Sequence, residues 1–249
     1  MNNIRQERIK EYVEANHVAT IRELQALLPE VSLMTIHRDL DALERRGVLV
    51  KIRGGAKSVR HAGDPEFNVR MQENNAEKLE IARKAMGLLQ PHTSIFLDAS
   101  TTNLTLARNL PDISLNIITT GPSIAIELCR LHNPVVTLCC GMINRKNLAL
   151  SGQNTLEMLE KMNIDIAFIG VSGCSVDAGF TCGTEADALV KRLAIQKAHT
   201  SVVMCGSDKF NRLMPYTFAH PEDVDYMITD GVIPPAFEEI VKTAGVRIL

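Results

Sequence analysis

Tryptophan is absent from the chain, and only seven Phe and three Tyr occur in 249 residues, so a core must be packed from Ile, Leu, Val, Met and Ala. No apolar run approaches the ~18–20 residues that cross a bilayer. The opening, Met1-Asn2-Asn3-Ile4-Arg5-Gln6-Glu7-Arg8, is polar and mixed in charge where a secretory signal needs an apolar stretch. The expectation is a cytoplasmic protein without a membrane partner. No C-x-x-C pair occurs. The six cysteines (129, 139, 140, 174, 182, 205) lie in the second half, mostly in or beside apolar runs such as 135–140, and read as reduced core thiols. The seven histidines are scattered with no i, i+4 pair, so no metal site is expected. Neither Gly-x-Gly-x-x-Gly nor a phosphate-loop Gly-Lys-Ser/Thr is present, and no cofactor is expected.

Charge is present but unevenly spread. Residues 1–60 carry eleven Lys and Arg against eight Asp and Glu, whereas the remainder carries 16 against 21. A basic head on an acidic body suits a polyanionic partner for the head, though an excess of three is mild.

The head reads as three helices and a β-ribbon. Ile9, Tyr12 and Val13 share one face of a first helix from about Ile4 to Ala15. Thr20-Ile21-Arg22-Glu23 has the capping-box pattern and opens a second helix with Ile21, Leu24, Leu27 and Leu28 inward. Ser32 caps a third helix with Ile36, Leu40 and Leu43 on its buried side, and Gly47 ends it. Met34, Arg38, Asp41 and Arg45 then lie opposite that stripe, with Thr35 and His37 on its flanks. A strand at 48–52, the turn Arg53-Gly54-Gly55 and a return strand through Val59 complete the ribbon.

Two helices and a Gly-tipped ribbon form a device that places the second helix of the pair in a major groove. The candidate DNA-contacting residues are Ser32, Met34, Thr35, His37 and Arg38, with Lys51 and Arg53 on the wing. Arg38 suits bidentate reading of guanine, and the wing cations suit phosphates, which set register without reading sequence.

From Arg60 to about Asn75 periodicity fades and Gly63-Asp64-Pro65 breaks any element, which reads as a linker over 59–75 whose Phe67, Val69 and Met71 dock on a domain. Beyond it, apolar strands (94–98, 115–120, 134–140, 164–170, 201–205, 226–229, 246–249) alternate with helical stretches. That alternation predicts a mainly parallel α/β body over 76–249 behind a head over 1–58. Ligands in such sheets sit beyond the carboxyl ends of strands. The candidate effector-binding residues there are Asp98, Ser100, Thr101, Thr102, Thr119, Thr120, Gly141, Ser172 and Lys209. Hydroxyls and backbone N–H groups at a helix start suit an anion, and Lys209 adds a cation. Ser, Thr and Gly also follow strands because turns need them, and for any one loop both readings stand.

The head motif Ser32-x-x-Thr35-Ile36-His37-Arg38-Asp39-Leu40, then Leu43-Glu44-x-x-Gly47 and Arg53-Gly54-Gly55-Ala56, resembles the DeoR/GlpR family of bacterial regulators. His37 stands where the family commonly has Arg. In the body, Phe67-x-x-Arg70, Lys78-x-x-Ile81-Ala82, Asp98-x-Ser100-Thr101-Thr102, Gly179-Phe180-Thr181 and Lys209-Phe210 resemble its effector domain. The resemblance implies a winged helix-turn-helix followed by a domain similar to ribose-5-phosphate isomerase, hence a homo-oligomeric regulator, a repressor, that binds a double-stranded DNA operator and responds to a sugar phosphate. Ser100, Cys140 and Gly206-Ser207-Asp208 depart from the family's usual loops and leave the effector unspecified. In the isomerases the loop after the central strand carries paired aspartates; here it reads Gly170-Val171-Ser172-Gly173-Cys174, and no lysine occurs around 177–184. A sensor, not an enzyme, is therefore expected. Two alternatives remain: a sugar-phosphate enzyme with a DNA-binding appendage, and a thiol-responsive regulator using Cys139, Cys140, Cys174, Cys182 or Cys205.

Overall fold

The computed structural model describes residues 2–16, 18–45, 48–58, 66–231 and 233–249, with the side chains of Asn2, Asn3 and Arg45 left aside. The expected helix stop at Gly47, the end of the return strand at Val59 and linker residues 59–65 lie outside the described residues.

The head comprises α1 (Asn2–Asn16), β1 (Val18–Thr20), α2 (Ile21–Leu27), α3 (Leu33–Arg45), β2 (Leu49–Ile52) and β3 (Gly55–Ser58). The expected apolar stripes converge: Ile9, Val13, Leu24, Leu28, Ile36, Leu40 and Leu43 are all buried in one cluster. Each such aliphatic side chain contributes roughly 1.5–3 kcal/mol relative to exposure. Thr20 and Glu23 form the reciprocal capping box: the Glu23 N–H donates to Thr20 Oγ1 at 3.2 Å and the Thr20 N–H to Glu23 Oε2 at 2.7 Å.

The ribbon gains a strand that the periodicity does not reveal. β1 pairs antiparallel with β3, giving the order β1-β3-β2. This pairing explains Gly55, where a Cβ would stand 2.1 Å from the Ala19 carbonyl oxygen. Asp39 is buried and holds α1 to α3, accepting from the Arg5 guanidinium and, at 3.0 Å, from Gln6 Nε2.

The body runs α4 (Phe67–Gln72), α5 (Asn75–Met86), β4 (Ser94–Leu97), α6 (Thr101–Asn109), β5 (Asn116–Thr119), α7 (Pro122–Leu128), β6 (Val135–Leu138), β7 (Met142–Asn144), β8 (Ala149–Ser151) and α8 (Gln153–Glu160). It continues through β9 (Ile164–Gly170), β10 (Gly173–Ser175), β11 (Gly179–Cys182), α9 (Glu185–Lys197), β12 (Ala198–Met204), β13 (Tyr216–Ala219), β14 (Tyr226–Ile228), α10 (Pro235–Thr243) and β15 (Arg247–Ile248).

Seven strands form one parallel sheet in the order β15-β14-β12-β9-β4-β5-β6. Side chains alternate across it. Ile95 and Leu97 pack beneath α5, α6 and α7, while Phe96 faces the cluster of α8, α9 and α10. The expected parallel sheet covered on both faces is therefore present. Two antiparallel additions were not expected: the hairpin β7–β8 and the small sheet β10-β11-β13.

One boundary needs correcting. Residues 67–72, assigned to the linker, form helix α4, because Phe67 buries its ring in the core and its N–H donates to the Lys146 carbonyl at 2.7 Å. Phe67 and Met71 dock as expected, whereas Val69 stays 47% exposed.

β4 opens the sheet in its middle. From there the chain adds β5 and β6 on one side, then crosses to β9, β12, β14 and β15 on the other. The loops leaving β4 and β9 consequently diverge, and the crevice between them is where such sheets bind ligands. No helix among the described residues is long and apolar enough to cross a membrane.

Candidate functional site

The reading surface is the exposed side of α3. Ser32 precedes it and caps it, accepting from the Thr35 N–H at 3.3 Å while its hydroxyl meets the Thr35 hydroxyl at 2.9 Å. Met34 is 67% exposed, and His37 and Arg38 are exposed one turn on. Spacings of three and four place these side chains on one face. Arg53 projects at the exposed wing turn, where Gly54 has φ 86°. Lys51 is engaged within the protein: its ammonium pairs with Asp41, and its N–H donates to Glu44 Oε1 at 2.7 Å. The wing is thereby fastened to α3, and Arg53 is its exposed cation at the turn.

In the body, a cleft opens at the crevice between the β4 and β9 loops. Ser100, Thr101 and Thr102 line it at the N-terminus of α6; Gly170, Val171 and Ser172 line it from β9, and Gly206, Asp208 and Lys209 from the loop after β12. The fourth wall is Arg70, Glu73, Asn74, Glu77 and Lys78, from α4 and α5. Gly170 is required at the crossing, since a Cβ would meet the Ser100 side chain at 2.4 Å.

Three cations face three carboxylates around this cleft, so formal charge does not decide what it accepts. Placement does. The Ser100 hydroxyl caps α6 by accepting from the Asn103 N–H at 3.1 Å, leaving the first-turn N–H groups of Thr101 and Thr102 at the cleft. The Lys78 ammonium donates to the carbonyls of Arg70 and Glu73. Burial, and after it the charge of Lys209, hold the Lys78 pKa below the usual lysine value. An anion between Lys78 and Lys209 would relieve that repulsion.

Beneath the cleft lies a buried ion pair. Asp98 is 1% exposed, and Oδ1 accepts from Ser100 N–H at 3.1 Å and Asn103 Nδ2 at 2.7 Å. Its Oδ2 accepts from Gly170 N–H at 2.9 Å and from the Lys191 ammonium, which also donates to the Gly170 carbonyl at 3.0 Å. Burial alone would push the Asp98 carboxyl up, but Lys191 and the surrounding donors outweigh it and hold the pKa below the ordinary aspartate value. Burial would likewise lower the Lys191 pKa; Asp187 and Asp98 reverse that and raise it. Both directions describe a pair that stays charged.

Residues 5–62 match the DeoR-like helix-turn-helix domain, and residues 73–231 match the DeoR C terminal sensor domain. The chain belongs to the DeoR family. It is 33% identical over 247 residues to the HTH-type transcriptional regulator GlpR of Haloferax volcanii, covering 98% of this chain and 96% of that one. It is 28% identical over 219 residues to the L-fucose operon activator of Escherichia coli, covering 86% and 90%. Among solved structures, ribose 5-phosphate isomerase A from Methanocaldococcus jannaschii overlays with a TM-score of 0.40 at 16% identity, over 56% of each chain. That overlay is loose, and the fold class of this DeoR-family regulator rests on its own strand order.

Of the expected effector residues, Ser100, Thr101, Thr102, Ser172 and Lys209 line the cleft together. The other four do not. Asp98 turns its carboxylate inward to Lys191 and its neighbours. The Thr119 hydroxyl donates to the Leu97 carbonyl at 2.7 Å and accepts from Gly121 N–H at 3.0 Å, tying β5 to β4. Thr120 is buried and its carbonyl accepts from Leu150 N–H at 2.8 Å, seating β8. Gly141 is exposed at φ 147°, where a Cβ would stand 2.2 Å from Thr155 Oγ1, so packing against α8 explains it.

Sequence reasoning missed Glu73, Asn74, Glu77, Asp187 and Lys191. It also gave no role to Arg70 and Lys78, although their motifs carried the family resemblance. The lost signal for Lys191 is its register: Ala188, Lys191 and Ile195 share the buried side of α9. A lysine on an apolar face needs a buried carboxylate partner.

Among the described residues no group of three or more His, Cys, Asp or Glu is arranged to hold a metal ion. Cys139, Cys174, Cys182 and Cys205 are buried, whereas Cys129 and Cys140 are exposed. Burial pushes the Cys139 thiol up to about 11. The hydrogen bond with Cys174, then burial, raises Cys205. Neither thiol favours the reactive thiolate near neutral pH.

Proposed function

We propose that this chain is a cytoplasmic, homo-oligomeric repressor of carbohydrate-metabolism genes. A head over residues 1–58 reads a double-stranded operator, and a body that begins with α4 at Phe67 and runs to Leu249 senses a phosphorylated sugar. The observation that carries the effector reading is the convergence of the α6 N-terminus, Lys78 and Lys209 on one cleft at the switch point of the sheet. A phosphate satisfies all three, and the hydroxyls of Ser100, Thr101, Thr102 and Ser172 suit the sugar. The relative named for the L-fucose operon supports carbohydrate genes as the target.

The head contacts bases through Met34, Thr35, His37 and Arg38, with Ser32 and Arg53 at phosphates. Lys51 reaches a phosphate only by exchanging Asp41 for it. A two-fold operator requires two heads, hence the oligomer. Sensing is favoured over turnover because Asp98, the carboxylate at the end of the central strand, is buried and fully engaged, and the 170–174 loop carries no carboxylate.

A thermal-shift screen of the full chain against sugar phosphates and polyol phosphates tests the reading. A ligand at ~100 times its Kd stabilises by about 2.7 kcal/mol, while the unphosphorylated sugars leave the melting unchanged. No stabilisation by any phosphate ester, or turnover of ribose 5-phosphate at enzymatic rates, contradicts the sensor. Transcription from an operator template, lowered by the protein and restored by the ligand, tests the sign.

A further inference from the structure

The reading face of α3 carries an acid as well as cations. Met34, Arg38 and Asp41 follow one another at spacings of four and three, so they share the face opposite the buried stripe. The Asp41 side chain is 44% exposed there. A bare carboxylate at that position would repel every duplex, whatever its sequence. It is not bare: Asp41 has the Lys51 ammonium among its partners.

Lys51 is held to α3 at both ends. Its N–H donates to Glu44 Oε1 at 2.7 Å, while its ammonium donates to Asp41 Oδ1. Although it belongs to β2, its position against DNA is therefore set by how α3 is seated. A cation already neutralised inside the protein displaces no counterion from DNA. It adds nothing to sequence-independent attraction until a phosphate takes it from its carboxylate. That exchange needs a phosphate at ion-pair distance, because the Coulomb gain falls with separation and salt screens it beyond about 8–10 Å.

We propose that Asp41 is a specificity-determining residue for DNA because it competes with phosphate for Lys51. Loose complexes with unrelated duplex form without that cation, and only a fully seated α3 brings a phosphate close enough to take it. This rests on the placement of α3 in the major groove proposed above. Arg38 selects sequence by contact, whereas Asp41 selects it by withholding a charge from the wrong complexes.

Salt-titrated anisotropy of the full chain tests the proposal, between about 50 and 200 mM salt, on a duplex selected from random sequences and on an unrelated duplex of equal length. For Asp41→Asn, the dependence of log Kd on log salt steepens by about 0.9 on the unrelated duplex, as for one added phosphate contact. On the selected duplex it stays as it is. The preference for the selected duplex therefore shrinks, about threefold further at the low-salt end than at the high. Adding Lys51→Gln to Asp41→Asn returns the unrelated slope to that of the parent chain. Lys51→Gln alone tests the same claim from the other partner: it flattens the slope on the selected duplex by about 0.9, and on the unrelated one by less. Asp41→Asn conserves shape at a half-exposed site, and an unchanged melting temperature checks that the head stays folded. Equal slope changes on the two duplexes would mean a carboxylate that merely repels DNA. An unrelated slope unmoved by Asp41→Asn would mean that no cation was withheld. Either result overturns the proposal while leaving α3 in the groove; a chain that prefers no duplex after selection overturns both.

Discussion

Asp98 and Lys191 connect three parts of the structure beneath the cleft through one buried contact: the loop after β4, the end of β9 and the helix α9. Removing either partner strands a charge in the core, which typically costs about 3–5 kcal/mol. Asp98→Asn and Lys191→Met are therefore each expected to lower stability strongly, and the double variant to lose less than the sum, measured by denaturant unfolding as a double-mutant cycle. The sign with pH follows from the depressed Asp98 pKa. The stabilisation is present above the unfolded aspartate pKa, about 3.9, and is lost as pH falls through the lower folded value. The gap between the parent chain and Asp98→Asn should thus close in strong acid and stay constant near neutrality.

Lys78 gives the opposite case, with a cation whose pKa is held down by burial and Lys209. Anion binding favours its charged form, so ligand affinity should fall with rising pH earlier than an ordinary lysine near 10.4 would dictate. Lys78→Gln should bind more weakly and flatten that alkaline fall. A calorimetric profile over pH 7–10 with identical slopes for both proteins would refute the assignment.

At the scale of elements, the head was legible because its signals are local. The capping box at Thr20 and the stripe Ile36, Leu40, Leu43 each lie within one helix, and a helix announces itself through its own period. β1 was not legible because three residues, Val18–Thr20, are too few for a pattern and owe their strand to β3. Gly55 records that pairing. Gly55→Ala is expected to cost about 1–3 kcal/mol by overpacking against Ala19. Hydrogen exchange should then rise across α1–β3 and leave the body unchanged; uniform exchange throughout the chain would show that Gly55 does not act through the ribbon.

Arg38 and Arg53 should separate by what they touch. Arg38→Ala is expected to cost about 1–3 kcal/mol on the preferred duplex and to relax selection at one base position. Arg53→Ala should weaken all duplexes alike and reduce the salt slope by about one. Identical effects in a salt-titrated binding assay would contradict this division of α3 and wing. In the body, the strands and most helices were readable for the same local reason as the head. The cleft was half readable. Its hydroxyl loops follow strands and can be located from sequence, but Arg70, Glu73 and Lys78 reach it only because α4 folds against the β7–β8 turn, a contact between residues far apart in the chain.

Across the whole molecule, two separately packed regions have to communicate. The head has its own apolar cluster, from Ile9 to Ala56, and the sheet has two more, one on each face. A ligand at the cleft bridges α4, α5, α6 and the β9 and β12 loops, and α4 is the first element that follows residues 59–65. Arg70 of α4 lines the cleft, so α4 is the described element through which a bound ligand would act toward the head. Coupling of this kind is reciprocal and is usually worth 1–3 kcal/mol, so bound operator must shift ligand affinity by the same factor that ligand shifts operator affinity. The most direct measurement is fluorescence anisotropy of the full chain on a duplex selected from random sequences, at fixed salt, with and without a saturating stabilising sugar phosphate. The account predicts a change in operator Kd of about 5- to 150-fold, absent for the unphosphorylated sugar. An operator Kd that is the same with and without the bound phosphate ester would contradict it.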